Sequence, residues 1–193
     1  MKSDNESIMI YVSIAVIIIS LFFIGMGITG YATTDTGVVN VSITSSASIV
    51  FTTTLLDFGN GTVNTSRATL DSEGTVTGGT WAATSTGLVL ENNGNVDVNL
   101  TLATNDTVAN FIGGTSPTIE AKITQVAESG SCNMTNSVFD PNYAGITTTG
   151  QLACVNFSYL NAADMVEIEI NLTIPSDALG AKTVGIVATA TAI

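Results

Sequence analysis

No histidine occurs anywhere in the 193 residues. That absence removes Ser–His–Asp triads, Cys–His dyads and every zinc or iron site that depends on imidazole. An enzyme built on this chain would have to work with carboxylates or lysine alone. Positive charge is almost as scarce: Lys2, Arg67, Lys122 and Lys182 stand against 16 acidic residues, for a net charge of −12. So few cations cannot form a patch, so no nucleic-acid partner is expected, and attraction to an anionic lipid surface fails for the same reason. The acidic excess reads first as a solubilising, self-repelling surface.

Cysteine is limited to two residues, too few for a four-ligand zinc site without histidine. In an exported chain Cys132 and Cys154 read instead as one disulfide. It closes a loop of about 22 residues and contributes roughly 3 kcal/mol in the chain-entropy account.

Charge is missing altogether from residues 8–32 (IMIYVSIAVIIISLFFIGMGITGYA). About 25 uncharged residues, at ~1.5 Å each in a helix, reach across a bilayer core of roughly 30 Å. The run exceeds the roughly 7–15 apolar residues of a secretory signal. Residues 1–7 then form a cytoplasmic stub, the side that Lys2 favours. Gly30-Tyr31-Ala32 is a small-x-small pattern, so retention as a transmembrane anchor and cleavage as a signal both stay open. Either fate places the rest of the chain outside the cytoplasm, at the cell surface. The layout also matches in outline a type IV-pilin-like subunit that keeps its hydrophobic helix, although no Gly follows a Lys or Arg just before Ile8.

Beyond residue 32 no helical periodicity runs longer than one or two turns, and period-two alternation takes its place. In residues 166–174 (VEIEINLTI) Val166, Ile168, Ile170, Leu172 and Ile174 face one way, and Glu167, Glu169, Asn171 and Thr173 the other. Such a strand has one buried and one wet face. Val39, Val41 and Ile43 alternate in the same manner, as do Val96, Val98, Leu100 and Leu102. Ile119, Ala121 and Ile123 follow, then Val155, Phe157 and Tyr159. Residues 48–56, 80–86, 87–91 and 183–192 are further strand candidates. Turn signals separate them: Gly59-Asn60-Gly61, Gly78-Gly79, Asn92-Asn93-Gly94-Asn95, Gly113-Gly114, Asp140-Pro141-Asn142 and Pro175-Ser176-Asp177. Short strands with turns between them predict an all-β fold, a single Ig-like or jelly-roll-like β-sandwich of about seven to nine strands over residues 46–193. Residues 33–45 form an extended linker. A closed barrel is the alternative, but a membrane barrel lacks its paired aromatic girdles here. Trp81, the one tryptophan, is expected on a strand as a core or edge plug.

Asn-x-Ser/Thr occurs at Asn40, Asn60, Asn64, Asn99, Asn105, Asn133, Asn156 and Asn171, all N-glycan acceptors if the chain is exported. Strand geometry alone generates several of them, because residues i and i+2 share a face and a Thr-rich wet face with Asn on it yields Asn–apolar–Thr. Asn60, Asn64 and Asn105 lie in turn-like stretches. No residue set reaches a catalytic, cofactor or metal signature. Asp57, Asp71, Glu73, Asp97, Asp106, Asp140 and Asn142 carry oxygen ligands but match no calcium-loop spacing. Glu167 and Glu169 sit about 7 Å apart on one strand face, near a glycosidase spacing, yet a regular wet strand gives no burial to tune a pair. Gly78-Gly79-Thr80 and Gly113-Gly114-Thr115 lack the lysine of a phosphate loop.

The order apolar leader, Val-Asn-Val-Ser-Ile, Leu56-Asp57-Phe58-Gly59, then Leu90-Glu91-Asn92-Asn93-Gly94-Asn95-Val96 running into an alternating strand, resembles the TasA/camelysin-like group and related archaeal surface-filament subunits. The resemblance implies an exported β-sandwich with a structural role, a self-assembling homopolymer, and residues 33–44 as a donor strand that completes the sheet of the next subunit. Peptidase labels attached to camelysin relatives do not carry over, since His-Glu-x-x-His is absent. A membrane-anchored monomeric adhesin, binding glycans or another ligand, is the reading from a different class.

Overall fold

The computed structural model describes residues 3–27, 39–125 and 128–193. The chain divides into two compact units, Met1–Ser42 and Ile43–Ile193.

In the first unit, helix α1 spans Ser3–Gly27. Its side chains over residues 8–21 are all exposed, including Ile8, Ile10, Ile14, Ile17, Ile18 and Leu21. A helix that is apolar all round is stable only where lipid or other protein covers it. Its two serines within the apolar run are accommodated locally: Ser13 Oγ donates to Met9 O at 2.8 Å and Ser20 Oγ to Val16 O at 2.5 Å, the i−4 bond that satisfies a hydroxyl in an apolar setting. Among the described residues no helix is long and apolar enough to cross a membrane. Residues 28–32 of the expected span, and with them the Gly30-Tyr31-Ala32 pattern, lie outside the described residues.

The second unit is an all-β sandwich of two antiparallel sheets. Its strands are β1 (Val50–Phe51), β2 (Arg67–Asp71), β3 (Val76–Thr77), β4 (Leu88–Glu91), β5 (Val98–Thr104), β6 (Thr118–Thr124), β7 (Ala144–Gly145), β8 (Gln151–Phe157), β9 (Met165–Pro175) and β10 (Ile186–Ala192). A single helical turn, α2 (Val108–Phe111), follows β5 and is capped by the Thr107 hydroxyl, which accepts from Asn110 N. Ten strands exceed the expected seven to nine because β1, β3 and β7 are two-residue ladders.

Strand β9 organises the larger sheet. Along one edge it pairs first with β4 (Leu88↔Ile168) and then with β2 (Leu70↔Leu172); along the other it pairs with β6 (Lys122↔Glu169). The smaller sheet runs β10-β5-β8. Alternation works as the sequence demands: Val98, Leu100 and Leu102 from β5 and Val166, Ile168, Ile170 and Leu172 from β9 are all buried in one core. Where β8 crosses β5 the register shifts between Val98/Leu100 and Leu100/Thr101. Asn156 takes φ 59° there, a left-handed conformation that Asn tolerates better than most residues.

Three expected strands are corrected. Residues 39–44 form no strand, since they pair with no other strand among the described residues. In the run 48–56 only Val50–Phe51 pair, because Thr52 N and Thr53 N both turn to Val89 O and end the ladder. Residues 80–86 are irregular, with Thr80 N bonded to Thr62 O instead of a sheet neighbour. The Gly-rich connection after β6 is also more than a loop. It drives Cys132, Phe139 and Ile146 into the core, walling part of a sandwich whose second sheet has three strands against seven.

Candidate functional site

Unequal sheets leave apolar surface without a partner. Over the inner face of the larger sheet lies a groove of about 1050 Å³. Its floor is Leu70 from β2, Leu88 from β4, Ile119 from β6, and Ile170, Leu172 and Ile174 from β9. One wall is the segment 54–63; the other is 178–186, which runs into β10, with Phe111 and Ile112 beside it. Strand β10 ends its sheet, so one of its edges has no neighbour. A free strand edge is a template for another strand. The groove reaches β10 at Ile186 and offers room for aliphatic side chains; strand addition needs such room together with a free backbone edge.

Trp81 belongs to this groove, not to a strand. Its ring lies against the backbone of Gly61 and Gly79: a Cβ on Gly61 would come within 2.3 Å of the indole, and one on Gly79 within 2.6 Å. Those glycines let the ring lie flat on two strands of chain at once.

The sequence carries one segment with the complementary pattern. Val39, Val41 and Ile43 are 89%, 77% and 83% exposed, and residues 39–49 pair with no strand. Residues 33–38 of the expected donor lie outside the described residues.

The carboxylates have structural tasks. Glu167 Oε1 accepts from Gly87 N at 3.0 Å. Glu169, expected on a wet face, is buried at 6% exposure. The β2–β3 turn brings Ser72 over it, and the Ser72 hydroxyl hydrogen-bonds Glu169 Oε2 while accepting from Ile170 N at 2.8 Å. Burial pushes its carboxyl above the usual range, Glu167 and Glu73 add to the rise, and the Ser72 hydrogen bond and Lys122 oppose it. Lys122 is held away on Glu73 Oε1 at 2.6 Å. Tyr143 donates to Glu73 Oε2 at 3.0 Å and its ring lies 4.8 Å from the Lys122 ammonium. Burial first, and the Glu73 bond next, push the Tyr143 hydroxyl far up, so it stays protonated and remains a donor.

Because Glu169 binds its proton more tightly folded than unfolded, its contribution favours the folded state in acid and declines as pH rises from the ordinary glutamate range through the folded value. Glu169→Gln is therefore expected to melt above wild type near about pH 7, and the two to converge towards about pH 4. Thermal melts across that range check this; a Gln variant that melts below wild type near about pH 7 and matches it towards about pH 4 would assign Glu169 a stabilising charge instead.

Cys132 and Cys154 are joined as a disulfide. Of the sequon asparagines, Asn40, Asn60, Asn64, Asn105, Asn133 and Asn156 are exposed and Asn99 is half-buried. Asn171 differs: it is half-buried between β2 and β6 on β9, and its Oδ1 is buried with no partner. Asp57 accepts from Gly59 N and Asp71 from Thr75 N, both at 2.7 Å, so these two carboxylates shape turns. Among the described residues no group of three or more His, Cys, Asp or Glu side chains is placed to hold a metal ion. Comparison with protein-family models, with curated proteins and with solved structures finds no match to this chain.

Proposed function

We propose that this protein is a structural subunit of an extracellular assembly, and that copies join when residues 39–44 of one chain enter the apolar groove of another. The observation that supports this reading is the pairing, within one sequence, of an apolar groove that reaches the start of the edge strand β10 and an alternating segment that pairs with no strand among the described residues. Val39, Val41 and Ile43 each gain about 1.5–3 kcal/mol on full burial, and Asn40, Ser42 and Thr44 would remain on the wet side. The disulfide suits an oxidising location, and the exposed sequons suit glycan attachment on the outer surface. The apolar helix α1 would be covered by lipid before assembly or by its neighbours after it.

The test is a Val39→Ser/Val41→Ser/Ile43→Ser triple variant of the full chain. All three side chains are exposed in the subunit, so the domain should melt as wild type does. Negative-stain microscopy and sedimentation should show polymers for wild type and monomers for the variant. A variant that polymerises like wild type overturns strand donation. A wild-type chain that stays monomeric at high concentration overturns the structural role and favours a monomeric ectodomain whose groove takes a ligand.

A further inference from the structure

The turn Asn92-Asn93-Gly94-Asn95 does more than reverse the chain. Asn95 grips the backbone of residues 44–46 at three points. Its Oδ1 accepts from Ser46 N at 2.6 Å, its own N donates to Ser46 O at 3.0 Å, and its Nδ2 donates to Thr44 O at 2.9 Å. One asparagine thus supplies the bonds that a neighbouring strand would. Gly94 makes room for this: a Cβ there would lie 2.4 Å from Ser46 O and 2.9 Å from Ser48 N. Behind them Asn92, wholly buried, fixes the turn through Nδ2 bonds to Val96 O at 3.1 Å and Phe157 O at 3.0 Å, while its Oδ1 accepts from Gly94 N at 3.2 Å.

The gripped residues immediately follow the exposed Val39, Val41 and Ile43. We infer that Asn95 is a positioning residue for assembly: it fixes the point where the docking segment leaves the domain, so that the segment starts from an ordered root when it meets the next copy. This rests on the strand-donation reading above. The reasoning is one of preorganisation. Residues ordered in advance cost nothing when docking occurs, whereas a loose root must be immobilised at that moment. The three bonds are otherwise hard to explain, since Asn95 is itself exposed and Thr44 and Ser46 bury nothing.

The experiment uses the full chain as wild type, Asn95→Ala and Gly94→Ala, the last displacing the same segment without touching the Asn95 side chain. Three readouts are taken: melting temperature, amide exchange at Ser46 in the monomer, and rate of polymer growth. The expected result is unchanged melting for Asn95→Ala, faster exchange at Ser46, and polymer growth slowed about tenfold, the scale of lost preorganisation. Gly94→Ala should reproduce the exchange and growth effects, and it supplies both readouts should Asn95→Ala fold poorly. Polymer growth at the wild-type rate despite fast Ser46 exchange overturns the inference and leaves strand donation standing. Slowed growth with Ser46 exchange unchanged also overturns it. A wild-type chain that forms no polymer fails the parent reading instead.

Discussion

Removing the Cys132–Cys154 bond is expected to lower the stability of the β domain by about 3 kcal/mol, the loop-closure value for a closed ring of this size. The two cysteines are 22 residues apart, and the segment between them is the one that walls the three-stranded sheet. It is also tied by backbone bonds, with Asn133 and Val155 paired both ways and Val138 N donating to Leu152 O, all at 3.0 Å, and by the β6–β7 ladder. Without the covalent tie, those bonds and the burial of Phe139 and Ile146 remain to hold the connection. Cys154 is fully buried and Cys132 nearly so, so the cleaner variant is Cys132→Ala/Cys154→Ala, which puts no hydroxyl into the core. Denaturant melts of wild type, reduced wild type and the double variant check the value. A shift of about 10 °C in melting temperature is the corresponding thermal signal for a domain of this size. Unchanged melting on reduction would mean that the wall segment is ordered without the tie.

What the sequence made legible was whatever period two controls. Strands β5, β6 and β9 come directly from alternation, as does the burial of Val98, Leu100, Ile119, Ile168 and Ile170. Strand β2 was legible and passed over: Ala68 and Leu70 alternate and are fully buried, but Arg67 and Asp71 at its ends disguise so short a run. The disulfide followed from cysteine arithmetic and the expectation of export. The groove could not be read, because it arises from the mismatch between two sheets, and strand pairing across long sequence separations decides that mismatch. Glu169 failed for a related reason. Alternation assigns it to an outer face, and only the β2–β3 turn with Ser72 and the loop carrying Tyr143 bury that face. The segment Val39–Val41–Ile43 had its pattern in plain view; what the sequence could not show is that nothing within the described chain pairs with it. Asn92 and Asn95 both looked like turn residues. Their division of labour, one locked inside and one gripping from outside, depends on which side of the turn the core lies.

That division predicts opposite consequences for neighbouring substitutions, and Asn92→Asp is the severe one. The Asn92 side chain is 0% exposed and its amide donates to two carbonyls, Val96 O at 3.1 Å and Phe157 O at 3.0 Å. Aspartate has nearly the same shape but no donor when ionised. It would direct a buried negative charge at two carbonyl oxygens in a region that already holds Asp164, whose own carboxyl is pushed up by burial, by Glu128 and by Glu91. An uncompensated buried charge costs about 3–5 kcal/mol, a large share of the roughly 5–15 kcal/mol that holds a typical domain folded. The variant should therefore be partly or wholly unfolded near neutral pH. Its new carboxyl would titrate higher folded than unfolded, so the sign is fixed: stability is regained as pH falls and lost as pH rises through the folded value. Wild type, Asn92→Asp and Asn95→Asp compared by circular dichroism and melting between about pH 4 and about pH 7 separate the two roles. Asn95→Asp keeps its acceptor for Ser46 N and sits in solvent, so it should stay folded across that range. An Asn92→Asp variant that melts like wild type at neutral pH would show that the turn finds its donors elsewhere, and the buried Asn92 amide would no longer account for the order of the turn behind the Asn95 grip.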